Sequence, residues 1–501
     1  MGSGKKIVRG VFWTYVLNFV NAIYGFIAVP ILIGYFGKSE YGLIGLAMSI
    51  NVYMRLMDMG FNSTNVRFFS TWLSESRHDK VKKAFQTSLA FYGFIGLLNG
   101  LILLVVSFFS DSIFNVTSEQ NLILKTLLYI LSVSAFCNWF SSCFDQLIKA
   151  TENVAWIQRR QLIPKFLQIV VLFATVYMGF SIEWYYLLTC LATLSIIPIS
   201  VTKIWKVTPY VSFLPKIDRQ LFMEMLPYSL NIFSFSLFQF SFYHLRPVFL
   251  GMQGTMESVT DFRVLNGIIG LVHTLGGAFV PILLPSTARV MAQKNISAYY
   301  KVAYDGTKYI SILLCYLTFA MMAVGKDVIT LYVGDSYLVL IPWFYMWLVL
   351  NCFGTHNQAI SSLILAGMDI RAISYNSAIA SVLGLLSSWF LIPDFQIGGV
   401  ILGFLVYEIV QLGFYYMYYW PKRMKINSFR VLYYSFGPYC ILGILAFLAC
   451  SYIPRFENGW YNLVVVGIVF TAIYFVGTIL MATKTDKEFI INTIISKRKN
   501  V

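Results

Sequence analysis

Five polar side chains interrupt a largely apolar stretch in the first eighth of the chain. They are Asn51, Arg55, Asp58, Asn62 and Asn65, spaced 4, 3, 4 and 3 residues apart. At about 100° per residue they fall within roughly 80° of one another on a helix. The member with distinctive chemistry is Arg55. A guanidinium is a planar fork of donors that pairs bidentately with carboxylate or phosphate, so its chemistry here is anion recognition. Asp58, one turn away, is the candidate counter-ion, and a plain Arg55–Asp58 ion pair is the competing reading.

Two further stretches carry the same kind of stripe. One has Thr14, Asn18, Asn21 and Gly25; the other has Arg263, Asn266, Gly270, His273 and Gly277. Small and amide residues also glue helices together inside a membrane, so the Asn, Thr and Gly members carry a packing reading too. Arg246 and Arg263 lie near one end of their stretches, where a long cationic side chain can snorkel to water. His273 is equally readable as a hydrogen-bonded packing residue. Glu408, with Gln411 a turn on, is a carboxylate deep in an apolar run, a candidate for cation or proton coupling. Asp145 and Lys149, four apart, are expected to pair with each other. Ser374, Ser377, Ser381, Gly384 and Ser388 read as packing only.

The elements that must hold these groups follow from composition. Apolar residues make up 58% of the 501 residues and charged residues 12%, against about 25% charged in a soluble domain. Hydrophobic stretches of roughly 20 residues recur along the whole length, each long enough to cross about 30 Å of hydrocarbon. The expected fold is an all-α polytopic membrane protein of about 14 spans, from Ile7–Tyr35 to Tyr461–Met481. The three polar stripes fall on the first (Ile7–Tyr35), second (Tyr41–Thr64) and eighth (Phe262–Leu284), and the seventh is Leu226–Leu245. No polar segment leaves room for a separate soluble domain. There is no P-loop, metal-ligand cluster or long loop to hold an active site, so no enzyme and no cofactor are expected. The seven cysteines all lie in hydrophobic stretches without metal-ligand spacing and read as small apolar side chains.

The net charge of +15 has an explanation other than nucleic acid. Lysines and arginines cluster in alternate loops: about 30 of the 37 fall on one side, which the positive-inside rule makes cytoplasmic. Both termini are then cytoplasmic and the span count is even. The sequence also repeats: Pro30-x3-Gly34-x2-Gly37-x2-Glu40 returns as Pro247-x3-Gly251-x2-Gly254-x2-Glu257, 217 residues later. Weaker echoes follow, Ser63-Thr64 with Arg67 against Ser286-Thr287 with Arg289. Six spans separate the copies, which makes a parallel repeat. The expected organisation is an N-terminal lobe over 1–206, a C-terminal lobe over 207–424, and two extra spans with a basic tail over 425–501. The stripes of the corresponding hairpins would then line a wet, net-positive cleft between lobes, suited to an anionic polar cargo.

The stretch Gly37-Lys-Ser-Glu40-Tyr41-Gly42-Leu43, with Asp58-Met-Gly60 and Arg67 behind it, resembles the polysaccharide exporters of the multidrug/oligosaccharidyl-lipid/polysaccharide (MOP) superfamily. Pro285-Ser-Thr-Ala-Arg289 and Gly325-Lys-Asp-Val add to the likeness, which is nearest the Wzx-type flippases of O-antigen and capsule units. The resemblance implies a MATE-like pair of six-helix lobes with two C-terminal helices. It implies alternating access in a bacterial inner membrane, with an undecaprenyl-diphosphate-linked oligosaccharide as cargo and other polysaccharide assembly proteins as partners. Family arginines are thought to hold the diphosphate. Carried over, that gives Arg55 first, then Arg246 and Arg263, in a cavity shared with His273, Asn18, Asn21, Asn51 and Asn266. Asp58 and Glu408 would serve charge balance and coupling to an H+ or Na+ gradient. One departure is that the first span has no cation beyond Arg9, leaving its part to Asn18 and Asn21. A multidrug or cation antiporter of the same superfamily would want an acidic, aromatic cavity, and a polymerase or ligase would want a long outer loop.

Overall fold

The computed structural model describes residues 3–277, 295–367 and 371–482, with single positions 283, 287, 290, 291 and 293. Of the Pro285–Arg289 stretch only Thr287 is among them; the distal end of the eighth span and the basic tail from Lys484 onward lie outside the described residues. Among the described residues all regular structure is helical. Among the described residues eleven helices are long and apolar enough to cross a membrane, so the chain is a multi-pass membrane protein. Those eleven match eleven of the expected spans. The second, seventh and eighth are not among them: the second is broken into shorter helices, and the eighth is described only as far as Gly277.

The chain divides into two compact units. The first comprises Met1–Gly267 and Ser377–Gly403; the second comprises Ile268–Asn376 and Phe404–Val501. In the first unit, α1 (Ser3–Phe36) ends at Gly37, whose φ of 88° is open to glycine alone without strain, and α2 (Lys38–Tyr53) follows at once. The expected single second span is broken. After α2 comes a 3-10 turn over Met54–Asp58, then Met59 and Gly60 both at positive φ (49° and 79°), then α3 (Phe61–Ser74). The left-handed pair is what interrupts the helix.

Next are α4 (His78–Phe108) and α5 (Ser118–Ala150), the latter opened by a capping box. Gln120 N–H donates to Thr117 Oγ1 at 3.3 Å and Thr117 N–H to Gln120 Oε1 at 2.9 Å. The short α6 (Val154–Arg160) leads to α7 (Leu162–Met178), α8 (Ile182–Leu194) and α9 (Ile196–Val207). Then α10 (Arg219–Gln253), capped by Asp218, is followed by α11 (Met256–Gly277).

The repeated motif has one structural job in both places. Pro30 and Pro247 each sit inside a long helix, seven residues before the glycine that ends it. The two hairpin tips pack together: Lys38 pairs with Asp261 at 2.6 Å, and Thr260 Oγ1 donates to the Lys38 carbonyl at 2.6 Å. A Cβ at Gly42 would overlap the Met256 carbonyl, and one at Gly251 would meet Leu46 Cδ1 at 2.5 Å. Small residues here let backbones approach, as membrane helices require. The serine face of Arg371–Phe395 behaves as expected from its sequence: buried Ser388 donates to the Gly384 carbonyl, and Gly403 leaves the space it occupies.

In the second unit, α12 (Thr307–Ala323), α13 (Ile341–Thr355) and α14 (Gln358–Gly367) are joined by α15 (Gly437–Ser451) and α16 (Gly459–Met481). Three π-helical stretches lie at Val302–Gly306, Tyr415–Met424 and Val431–Phe436.

Candidate binding cavities

The break in the second span puts Arg55 and Asp58 on the 3-10 turn, where both reach a cavity of about 500 Å³ inside the first unit. Asn51 and Asn62 line it from the same strand of chain; Asn138, Asp145 and Gln146 line it from α5; Arg160 and Ser200 line it from α6 and α9. Four of the five striped residues thus share one cavity despite the break. Asn65 does not: it is fully buried and donates to Gln146 Oε1 at 2.7 Å.

The competing reading, a plain Arg55–Asp58 ion pair, is not what the structure makes. Asp58 Oδ1 accepts from the Tyr92 hydroxyl at 2.5 Å and Oδ2 from the Asn62 backbone N–H at 3.0 Å. Tyr92 in turn accepts from Gln146 Nε2 at 2.7 Å. Asn65, Gln146, Tyr92 and Asp58 form one chain of donors and acceptors that holds the carboxylate away from the guanidinium. Arg55 is exposed to the cavity and makes no ion pair among the described residues. Asp145 is likewise spoken for, though not by Lys149. It binds the buried Arg160 at 2.9 Å, and Arg160 also donates to Ser200 and lies 5.5 Å from the Trp156 ring. A buried guanidinium left unpaired costs far more than a half-exposed lysine left in water, which decides which cation takes the carboxylate.

A second cavity of about 310 Å³ lies between α2, α10 and α11, lined by Gly45, Ser49, His244, Arg246, Arg263 and Asn266 among others. Among the described residues no carboxylate lines it. Arg246 does not snorkel: it is 3% exposed, with its guanidinium 5.2 Å from the Phe242 and Tyr243 rings and 5.6 Å from Phe262. Arg263 lies 4.6 Å over Tyr41 and 3.7 Å from Met48 Sδ, and its Nη1 is buried without a hydrogen-bond partner among the described residues. A Cβ at Gly45 would sit 2.5 Å from Arg263 Cδ, so that glycine makes the room this side chain uses. His244 lies within electrostatic range of both Arg246 and Arg55. The two cavities therefore use adjacent faces of α2, with Gly45, Ser49 and Val52 on one side and Asn51 roughly a third of a turn round.

The remaining candidates lie elsewhere. Asn18 is exposed on α1, and Asn21 keeps a buried Oδ1 without a hydrogen-bond partner among the described residues; neither lines these two cavities. His273 is exposed and belongs to the second unit. Glu408, also in the second unit, is 5% exposed and packs on α13, where a Cβ at Gly354 would meet its Oε1 at 2.5 Å. Its neighbour Gln411 accepts from Asn376 Nδ2 at 2.7 Å. Sequence reasoning missed Tyr92, Gln146, Arg160 and His244. For His244 a signal existed, two residues before Arg246; Tyr92 is one of 33 tyrosines with nothing local to mark it.

The model of the polysaccharide biosynthesis protein family matches residues 7–291, more than half of the chain and all of both cavities. The chain belongs to that family. No curated protein matches the sequence. Among solved structures the chain is similar to the lipid II flippase MurJ in an inward-closed conformation, with a TM-score of 0.76 at 12% identity over 94% of this chain and 98% of that one. It is also similar to a multidrug resistance MATE family transporter of the MOP superfamily, inward-facing, with a TM-score of 0.60 at 14% identity over 87% and 96%. A third is the MATE multidrug transporter DinF-BH, with a TM-score of 0.57 at 14% identity over 85% and 96%. At these identities the likeness is one of fold, and it agrees with the fold that the motif resemblance implied.

Proposed function

We propose that this polysaccharide biosynthesis protein is a flippase. Its cargo would be an undecaprenyl-diphosphate-linked oligosaccharide, a repeat unit for a surface polysaccharide such as O-antigen or capsule. It would act by alternating access between an N-terminal lobe (1–206) and a C-terminal lobe (207–424), in a bacterial inner membrane with both termini cytoplasmic. The observation that carries the reading is Arg55: a guanidinium in a polar cavity whose carboxylates are both engaged by other groups. Such a cation is available to an anion. A diphosphate supplies the charge, and the surrounding Asn51, Asn62, Asn138 and Gln161 offer amides to sugar hydroxyls. Arg246, Arg263 and Asn266 add a second cationic cavity beside it, with Asn18, Asn21 and His273 as outlying candidates. Coupling to an H+ or Na+ gradient would fall to Glu408.

A multidrug antiporter shares the fold, but a cationic drug would meet arginines in both cavities and a free carboxylate in neither. Two assays on reconstituted protein separate the readings. Flipping of a diphosphate-linked oligosaccharide in proteoliposomes is expected, while efflux of a cationic dye is not. Dye efflux without saccharide flipping would overturn the proposal.

A further inference from the structure

The second unit holds a pocket that plays no part in the reading above. It lies where the Tyr415–Met424 π-helix turns into the Val431–Phe436 π-helix, and its volume is about 860 Å³. Long π-helical runs are rare and gather at functional sites; here two of them flank one pocket. Behind it is a rigid wall. Trp420, Tyr419, Met424, Ile426 and Val431 are all 3% exposed or less and form one apolar cluster.

The turn between the helices is clamped. Tyr299 Oη donates to the Met424 carbonyl at 2.9 Å, Tyr300 Oη to the Lys425 carbonyl at 3.2 Å, and Ile426 N–H to the Trp420 carbonyl at 2.9 Å. Lys425 is held at φ 58°, a conformation that lysine adopts only under restraint. Asn427 Oδ1 accepts the Arg430 N–H at 3.1 Å, which leaves its amide N–H2 to donate.

The lining is amphipathic in a specific order. Met417 (81% exposed), Phe429 (83%) and Leu432 (43%) form an apolar side, and Lys425 and Asn427 form a polar rim. Among the described residues no carboxylate lines it. Two neighbouring cations are turned elsewhere: Arg430 lies 4.4 Å over Tyr304 and Lys422 5.6 Å from Tyr418. Lys425 makes no ion pair among the described residues. One cation, one amide donor and an apolar trough fit a phosphate diester with an acyl chain. The absence of a lining carboxylate gives the ammonium of a zwitterionic headgroup nothing to pair with.

We propose that this pocket binds one anionic phospholipid, with its phosphate on Lys425 and the Asn427 amide and an acyl chain along Met417, Phe429 and Leu432. Basic pockets between membrane helices are established sites for acidic headgroups in general. The test titrates the detergent-solubilised full chain with phosphatidylglycerol or phosphatidylcholine of matched chains and counts retained lipids by native mass spectrometry. Phosphatidylglycerol is expected to be retained about fivefold more strongly, the ratio one basic group supplies near a lipid surface. Lys425→Gly should erase that preference, and it should fold well because glycine relieves the positive φ. Phe429→Ala, at an exposed position, should weaken retention of both lipids and leave the circular dichroism spectrum unchanged. Equal retention of the two lipids by the unmodified chain, or a preference that survives Lys425→Gly, would overturn the proposal.

Discussion

The two arginine cavities of the first unit solve the same problem in opposite ways. Around Arg55 the walls are polar, and the two carboxylates are engaged by a tyrosine, a backbone N–H and a buried arginine. Among the described residues no carboxylate lines the cavity of Arg246 and Arg263, and aromatic faces stand against both guanidinium groups. A ring face attracts a cation without neutralising it, and a guanidinium tolerates that setting because it is weakly hydrated and planar. The polar cavity keeps the Arg55 charge uncancelled by occupying its acids; the aromatic one sets ring faces, rather than acids, against its guanidinium groups. The first can also hydrogen-bond neutral hydroxyls through several amides, which the second offers through one, Asn266, with Ser49, Tyr243 and His244 beside it. We expect the first cavity to contribute cargo recognition and the second mainly charge.

The largest effect should come from Arg55. Arg55→Ala is expected to lower flipping of diphosphate-linked saccharide by about 10- to 100-fold, the range for losing charge-assisted hydrogen bonds. Arg55→Lys should recover part, because an ammonium keeps the charge and loses the planar fork. Flipping in proteoliposomes, normalised to folded protein, measures both. An Arg55→Lys variant as active as the unmodified chain would mean that charge alone matters there, and the contrast between the cavities would disappear.

The aromatic cavity can be probed without touching an arginine. Gly45→Ala places a methyl group where Arg263 Cδ now sits 2.5 Å away, so the side chain must shift. A several-fold drop in flipping is expected, with saccharide selectivity intact, because only charge placement changes. Thermal unfolding in detergent should move little, since the atom displaced belongs to a flexible side chain. Gly42→Ala provides the contrast: there the obstacle is the Met256 carbonyl, backbone that cannot yield. A destabilisation of about 1–3 kcal/mol is the usual result of such overpacking, seen as a lowered melting temperature.

Glu408 lies outside both cavities and tests whether coupling is separate from recognition. Glu408→Gln keeps the shape that packs on Gly354 and removes the charge. Flipping driven by a pH or sodium gradient should slow several-fold, while saccharide binding at equilibrium stays unchanged. If binding falls along with rate, the carboxylate acts on the cargo site and the separation fails.

How much of this was legible beforehand depended on whether the information was local. The polar stripes of the second and eighth spans were readable because helical periodicity is a property of a few neighbouring residues. They pointed to Asn51, Arg55, Asp58 and Asn62, which line one cavity, and to Arg263 and Asn266, which line another, where a single cleft was expected. Partners were not readable. Asp58 is one turn from Arg55 but bonds to Tyr92, 34 residues on, and Asp145 bonds to Arg160 and not Lys149. Arg246 looked able to reach water and is instead boxed in by Phe242, Tyr243 and Phe262. The break at Met59 and Gly60 was hidden as well, since a single glycine in an apolar helix is common and only the positive φ of the preceding methionine makes it a break.

The smallest expected effect is the sharpest discriminator, and it concerns Arg55 with Asp58. Spacing alone makes them an ion pair, and a pair predicts strong coupling: removing both would undo much of the harm of removing one, since no unpaired charge remains. The observed hydrogen bonds predict otherwise. Asp58 is held by Tyr92 and the Asn62 N–H, so Asp58→Ala strips acceptors from those donors and does nothing for Arg55. The two losses are then independent, and Arg55→Ala/Asp58→Ala should flip saccharide no better than Arg55→Ala. Quantitatively, the double-mutant cycle should close to within about 0.5 kcal/mol, the spread for uncoupled sites. That is about a twofold difference in rate. Asp58→Asn should be mild, because the amide oxygen still accepts from Tyr92. Recovery of flipping in the double variant would show that the arginine is balanced by its neighbour in the working protein, and Arg55 would cease to be the cation available to cargo.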